Sequence, residues 1–263
     1  MPIWFVVVLL GIIEGITEFL PVSSTGHLLL AEQWLPKQSD LFNIVIQSGA
    51  VLAVLPLFSD RLKRIFCDLR APQNLDFALK VFVAFCITGV GGYLMEKKGF
   101  KLPEEHAPVA WALLIGGILF VLAEYWVKNK PKTDEISWAI VAAVGFGQLI
   151  AAGFPGASRS GSTIVLCLLL GMNRPAATEF SFLVGIPTML AAGGYKIFKE
   201  MHSVSHENWS LLWLSTLVSA IVSFIVVKWL IRFVQSHTFN SFAIYRIAVG
   251  AAMLWYFWQQ PHA

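Results

Sequence analysis

Leu20-Pro21-Val22-Ser23-Ser24-Thr25-Gly26 cuts a polar, proline-bearing gap into an apolar stretch, with Ile3–Phe19 before it and His27–Leu35 after it. Neither flank reaches the ~20 residues that a helix needs to cross the hydrocarbon core of a bilayer. Pro155-Gly156-Ala157-Ser158-Arg159-Ser160-Gly161 makes the same kind of gap between Trp138–Phe154 and Ser162–Leu170. Irregular backbone at membrane depth is tolerated only where it is buried in protein or lines a water-filled cavity. Each pair of short runs therefore reads as a re-entrant helical hairpin with its polar tip toward the bilayer middle.

Six further runs are long enough to span: Leu41–Phe58, Phe77–Met95, Pro108–Val127, Thr178–Phe198, Trp209–Val234 and Phe239–Trp258. Of the 263 residues, 57% are apolar and 13% charged, against about 25% charged in an ordinary soluble domain. The mean hydropathy is +0.69. Those values exclude a soluble enzyme, a disordered tail and a collagen-like fibre, and the absence of alternating ten-residue strands argues against an outer-membrane barrel. The predicted fold is an all-α polytopic membrane protein, one integral membrane domain over 1–263. The two tips align at an offset of 134, Pro21 over Pro155 and Ser24 over Ser158, with Glu14 over Gln148. Each half, about 1–130 and about 131–263, is then one re-entrant hairpin plus three spans. An odd number of crossings inverts the second half, the inverted-topology repeat familiar from transporters.

The charge bias predicts an orientation. With the termini on one side, that side holds Lys37, Lys97, Lys98, Lys101, Lys196 and Lys199. The other side holds Arg61, Lys63, Arg64, Arg70, Lys80, Lys128, Lys130, Lys132, Arg174, Lys228 and Arg232. The richer side is cytoplasmic by the positive-inside rule, so both termini are expected outside. Pro2–Ile13 lacks a basic leader and is followed by Glu14, so it does not read as a cleavable signal peptide. Cys67, Cys86 and Cys167 suggest neither a disulfide framework nor a metal site. The net charge of +3, without a basic tract, gives no sign of a nucleic-acid partner.

Ionisable groups inside apolar segments cost at least about 2.5 kcal/mol each at mid-helix and need a reason. Glu14, Glu18, His27, Arg159, Glu179 and Arg246 are such groups. Glu14 and Glu18 share a helical face, and two carboxylates a turn apart call for a shared proton, a cation or a basic partner. Ser23, Ser24, Thr25 and Gly26 begin a short helix, where hydroxyls cap and free N–H groups attract anions. His27 follows as a proton-transfer candidate. The second tip brings Ser158, Ser160 and Thr163 around Arg159, whose planar fork suits a phosphate or pairs across the hairpins with Glu14 or Glu18. Glu179 and Arg246 could pair with each other. Opposed tips carrying acid, hydroxyl, imidazole and guanidinium point to phosphate chemistry within the membrane.

Glu14-Gly-Ile-Thr-Glu18-Phe-Leu-Pro-Val-Ser-Ser-Thr-Gly-His27 resembles the first signature of the bacterial undecaprenyl-diphosphate phosphatases, the bacitracin-resistance family. Pro155–Thr163, Glu179-Phe-Ser-Phe-Leu183 and Phe242-Ala-Ile-Tyr-Arg246 resemble later segments of it. The resemblance implies hydrolysis of undecaprenyl diphosphate to the monophosphate and phosphate, recycling the carrier lipid for the cell wall. It implies catalysis by Glu14, Glu18, Ser24, His27 and Arg159; beside them, Ser23, Thr25, Gly26, Ser158, Ser160, Thr163 and Arg246 are the residues expected to bind phosphate. A divalent cation, Mg2+ or Ca2+, is implied with Glu14 and Glu18 as its ligands, and a site opening to the periplasmic side. The expected partners are a long-chain polyprenyl diphosphate and the bilayer; a homodimer is left open. Whether Ser24, His27 or water attacks phosphorus stays open in the sequence, and a lipid flippase or transporter of the same architecture is the competing reading.

Overall fold

The computed structural model describes residues 1–99, 106–200 and 208–259, and within them the regular elements are helices. In chain order these are α1 (Ile3–Thr17), α2 (Ser24–Ala31), α3 (Asp40–Val54), α4 (Ser59–Cys67), α5 (Pro72–Lys97), α6 (His106–Val127), α7 (Trp138–Gly153), α8 (Arg159–Leu169), α9 (Arg174–Glu200), α10 (Trp209–Ser236) and α11 (Asn240–Trp258). Six are long and apolar enough to cross a membrane: α3 running on into α4, then α5, α6, α9, α10 and α11. They match the six expected runs in number and place.

The differences lie at the ends and have local causes. The first run continues past Phe58, because a 3-10 turn at Leu55–Phe58 accommodates Pro56, which cannot donate to an α-helical ladder, and α4 then carries the chain on to Cys67. Helix α9 starts at Arg174, four residues before the expected Thr178, because Asn173 Oδ1 accepts the Ala176 N–H at 2.9 Å and caps it. Arg174 itself forks onto the buried Glu124 of α6, whose carboxylate also accepts the Phe239 N–H.

Helix α1 is too short to span and too apolar to lie in water, and its seat is α10. Gly11 and Gly15, four apart, let the two backbones meet: a Cβ on either would stand 2.7 Å from the carbonyl oxygen of Ser215 or Ser219. Ser215 and Ser223 donate back to the Val7 and Gly15 carbonyls at 2.7 and 3.0 Å. Small residues and cross-helix hydroxyl bonds are how helices associate where lipid supplies no hydrophobic drive. Helix α7 meets α5 in the same manner, with Thr88 donating to the Gly145 carbonyl at 3.2 Å and Gln148 donating to Thr88 at 3.0 Å. These two contacts hold α1 and α7 in place, and Ser160 Oγ donating to the Leu20 carbonyl at 3.2 Å joins the two breaks that follow them.

At each break the chain turns into its next helix through a serine in the left-handed region, Ser23 at φ 73° and Ser158 at φ 68°. Among the described residues these are the non-glycine positions with positive φ, a conformation that side chains rarely adopt. Each serine hydroxyl accepts the N–H three residues on, from Gly26 at 3.4 Å and Gly161 at 3.1 Å. By this cap geometry Ser23 corresponds to Ser158 and Gly26 to Gly161, an offset of 135 at the caps where the aligned sequence suggests 134. Ser24 therefore corresponds to Arg159, each the first residue of its helix.

Candidate active site

Glu18 terminates α1 with 5% of its side chain exposed and collects donors from three other elements. Ser24 Oγ donates to Oε2 at 2.7 Å, Gln47 Nε2 of α3 to the same oxygen at 3.2 Å, and Arg159 Nη2 to Oε1 at 3.4 Å. The expected pairing of Arg159 across the two breaks is thus with Glu18. Because Ser23 is the cap, the Ser24 hydroxyl is free to aim at the carboxylate. A hydroxyl 2.7 Å from a buried carboxylate has the geometry of a nucleophile beside its base.

Glu14, one turn back on the same helical face, is 2% exposed. Its Oε2 has no partner among the described residues. Two buried carboxyls against one guanidinium leave negative charge that a proton or a cation must balance. Among the described residues no three His, Cys, Asp or Glu side chains cluster as a metal cage. The oxygen set of Glu14, Glu18 and Ser24 nonetheless suits a hard cation, since Mg2+ is held by one or two carboxylates with substrate phosphate and water completing the shell. The Glu14 oxygen without a hydrogen-bond partner is chemically able to join such a set.

Arg159 makes one side-chain hydrogen bond among the described residues, to Glu18, and keeps 16% of its side chain exposed, so its other N–H groups stay open to a ligand. Its guanidinium lies 5.8 Å from the Phe19 ring centroid and occupies the space left by Gly185 of α9, where a Cβ would collide with it. His27 does not touch this cluster. It stands one turn along α2 from Ser24, with Nδ1 2.7 Å from the Ser23 carbonyl and Nε2 2.7 Å from the Tyr245 hydroxyl.

The residues expected to bind phosphate divide sharply. Thr25 is exposed at the start of α2, and Gly26 is buried beneath Leu113. Ser158 caps α8, Ser160 donates to the Leu20 carbonyl at 3.2 Å and so ties the two breaks together, and Thr163 donates to the Arg159 carbonyl at 2.9 Å. Those hydroxyls hold the backbone. Arg246 is fully buried, and its guanidinium donates to the carbonyls of Leu113, Pro21, Ala112, Gly156 and Ala157 at 3.0–3.3 Å. Its donors face backbone from both breaks and from α6, which makes it a staple. Glu179 pairs with Arg61 at 2.8 Å, so the expected Glu179–Arg246 pair does not form.

Three residues of the site escape the sequence reading. Gln47 is a polar residue inside an apolar run, and Tyr245 directly precedes the charged Arg246, so both carried a signal. Gly185 carried none, because its importance lies in the space it leaves.

Comparison with known proteins bears on the chain as a whole. Residues 7–252 match the family described as bacitracin resistance protein BacA. A Rhizobium etli protein named undecaprenyl-diphosphatase is 51% identical over 249 residues, 94% of each chain. A protein of the same name from Xanthomonas euvesicatoria is 49% identical over 250 residues, again 94% of each.

Proposed function

The chain belongs to the bacitracin resistance protein BacA family, and from that premise we propose that the cluster around Glu18 is the active site of an undecaprenyl-diphosphatase. The reaction is hydrolysis of undecaprenyl diphosphate at the membrane, releasing phosphate and the monophosphate carrier lipid on which peptidoglycan synthesis depends. The observation that carries the assignment of residues is the Glu18 carboxylate holding Ser24 Oγ at 2.7 Å and Arg159 Nη2 at 3.4 Å.

Ser24 Oγ attacks the terminal phosphorus while its proton passes to Glu18. The new Oγ–P bond forms as the P–O bond to the lipid monophosphate breaks. Water then cleaves the phosphoserine and releases phosphate, with His27 moving protons. The open N–H groups of Arg159 and the amides at the start of α2 face the phosphoryl oxygens, where most catalysis of phosphoryl transfer resides. Glu14 and Glu18 would hold a divalent cation, which supplies charge neutralisation of the diphosphate when bound. Trapping the enzyme during turnover and identifying the phosphorylated side chain tests this order of events. Phosphoserine at position 24 is the expected result, and phosphohistidine at position 27 would overturn it.

The finer architecture follows the same reading. The helix pairs α1–α2 and α7–α8 are re-entrant hairpins, and the two halves form an inverted repeat. Support comes from the matched left-handed serine caps and from the matched seats of α1 on α10 and α7 on α5. Gln148 takes the place of Glu14 in the second hairpin, which leaves the carboxylates to the first. The charge bias favours a cytoplasmic membrane with both termini outside and the site opening to the periplasm.

A further inference from the structure

His27 has both ring nitrogens engaged. Nδ1 lies 2.7 Å from the Ser23 carbonyl, and a carbonyl only accepts, so Nδ1 carries the proton. In the neutral ring Nε2 is then an acceptor, and the group facing it at 2.7 Å is the Tyr245 hydroxyl, which donates. The two rings are parallel to within 4°, with centroids 5.6 Å apart. Ser23 O alone leaves the ring free to rock about one bond, and the second bond removes that freedom.

We propose that Tyr245 is the positioning residue for His27 in the hydrolysis of the diphosphate. Its hydroxyl keeps Nε2 unprotonated and aimed until a water or a phosphate oxygen takes its place. Helix α11 is suited to this, because Arg246, the next residue, is anchored to both breaks and fixes the helix against them. Tyr245 is itself 45% exposed, so the edge of the ring that it covers faces the open side. Arg246 is the charged group that bears on His27 from α11. On α1, Glu18 is engaged with Ser24, Gln47 and Arg159, and His106 at the start of α6 lies against Gln33. The tyrosine hydroxyl is therefore the neutral donor that sets the Nε2 edge.

This proposal rests on the reading that His27 moves protons, and the experiment separates the two. Tyr245→Phe and His27→Ala, singly and together in the full chain in detergent, are assayed for phosphate release from a long-chain prenyl diphosphate. Tyr245→Phe keeps the stacked ring and is expected to lower kcat about tenfold with KM changed less than about twofold, the cost of a loosened catalytic group. Added to His27→Ala, it should change the residual rate less than about twofold, since a residue acting through another has nothing left to act on. In protein with nitrogen-15 histidine, the His27 Nε2 signal should move to the position of a free acceptor while Nδ1 stays protonated. Tyr256→Phe on the same helix should change none of these. A wild-type kcat in Tyr245→Phe, or an equal loss with and without His27, overturns the proposal alone. Wild-type activity in His27→Ala overturns the assignment of His27 and the proposal with it.

Discussion

Gly185→Ala isolates the placement of Arg159 from the stability of the protein. Gly185 lies inside α9, where alanine is favoured over glycine by about 1 kcal/mol of helix propensity, so the backbone should tolerate the change. The added Cβ would stand 2.8 Å from Arg159 Cζ, with Nη1 nearer still. To reach ordinary contact at 3.4 Å the guanidinium must retreat by about 0.6 Å at Cζ and by more at Nη1. The intruding atom meets the far end of a flexible side chain, so Arg159 moves and the helix stays. The 3.4 Å contact with Glu18 is already long and will not survive the shift. A displacement near 1 Å in a catalytic clamp costs about 100-fold in rate, which sets the expected drop in kcat for phosphate release in detergent. The melting temperature should be unchanged or raised. In an Arg159→Lys background the same alanine should cost little, because the fork it displaces is gone. A folded Gly185→Ala enzyme with wild-type kcat would refute the placement of Arg159 as the phosphate clamp.

Arg159→Lys alone should remove most activity with folding intact, since a point charge cannot span two phosphoryl oxygens; near-normal kcat would argue that only the charge matters. Glu18→Gln preserves shape but removes the base, so kcat should fall by about 100-fold or more, and the stimulation by added Mg2+ or Ca2+ should weaken in parallel. Arg246→Leu leaves five carbonyls from the two breaks and α6 without their donor and should destabilise the protein by about 3 kcal/mol or more, read as a lowered melting temperature in detergent. Raised KM with an unchanged melting temperature would instead make Arg246 a phosphate ligand.

The spans were legible because each is a long uninterrupted apolar run, and the breaks because proline, glycine and serine clusters cannot continue one. Glu18 and Arg159 stood out for the same reason in reverse: a charge in such a run must meet a partner. The hydroxyls were harder to read. Ser23, Ser158, Ser160 and Thr163 are chemically able to bind phosphate, and only the folded chain commits them to a cap, a cross-break bond or a helix carbonyl. Arg246 misleads in the same way. Its charge signals function, but five backbone carbonyls answer it, and which carbonyls a side chain reaches is a property of packing. Gly185 lies at the far end of that scale, where the decisive quantity is an absent atom.

The left-handed serines explain why one carboxylate can gather both breaks. Positive φ at a non-glycine residue costs of order 1–3 kcal/mol and persists only where the surroundings over-determine it. Here the surroundings are the cap bonds of Ser23 and Ser158 and the grip of Arg246 on Pro21, Gly156 and Ala157. The same twist is imposed at both breaks, and it presents the first side chain of each following helix toward Glu18. In one break that side chain is Ser24, and in the other it is Arg159. Equivalent backbone thus delivers a hydroxyl and a guanidinium to one acid. Replacing Ser23 or Ser158 by glycine would relieve the strain yet remove the cap, so each should loosen the aim of its own successor, Ser24 or Arg159, and leave the other in place.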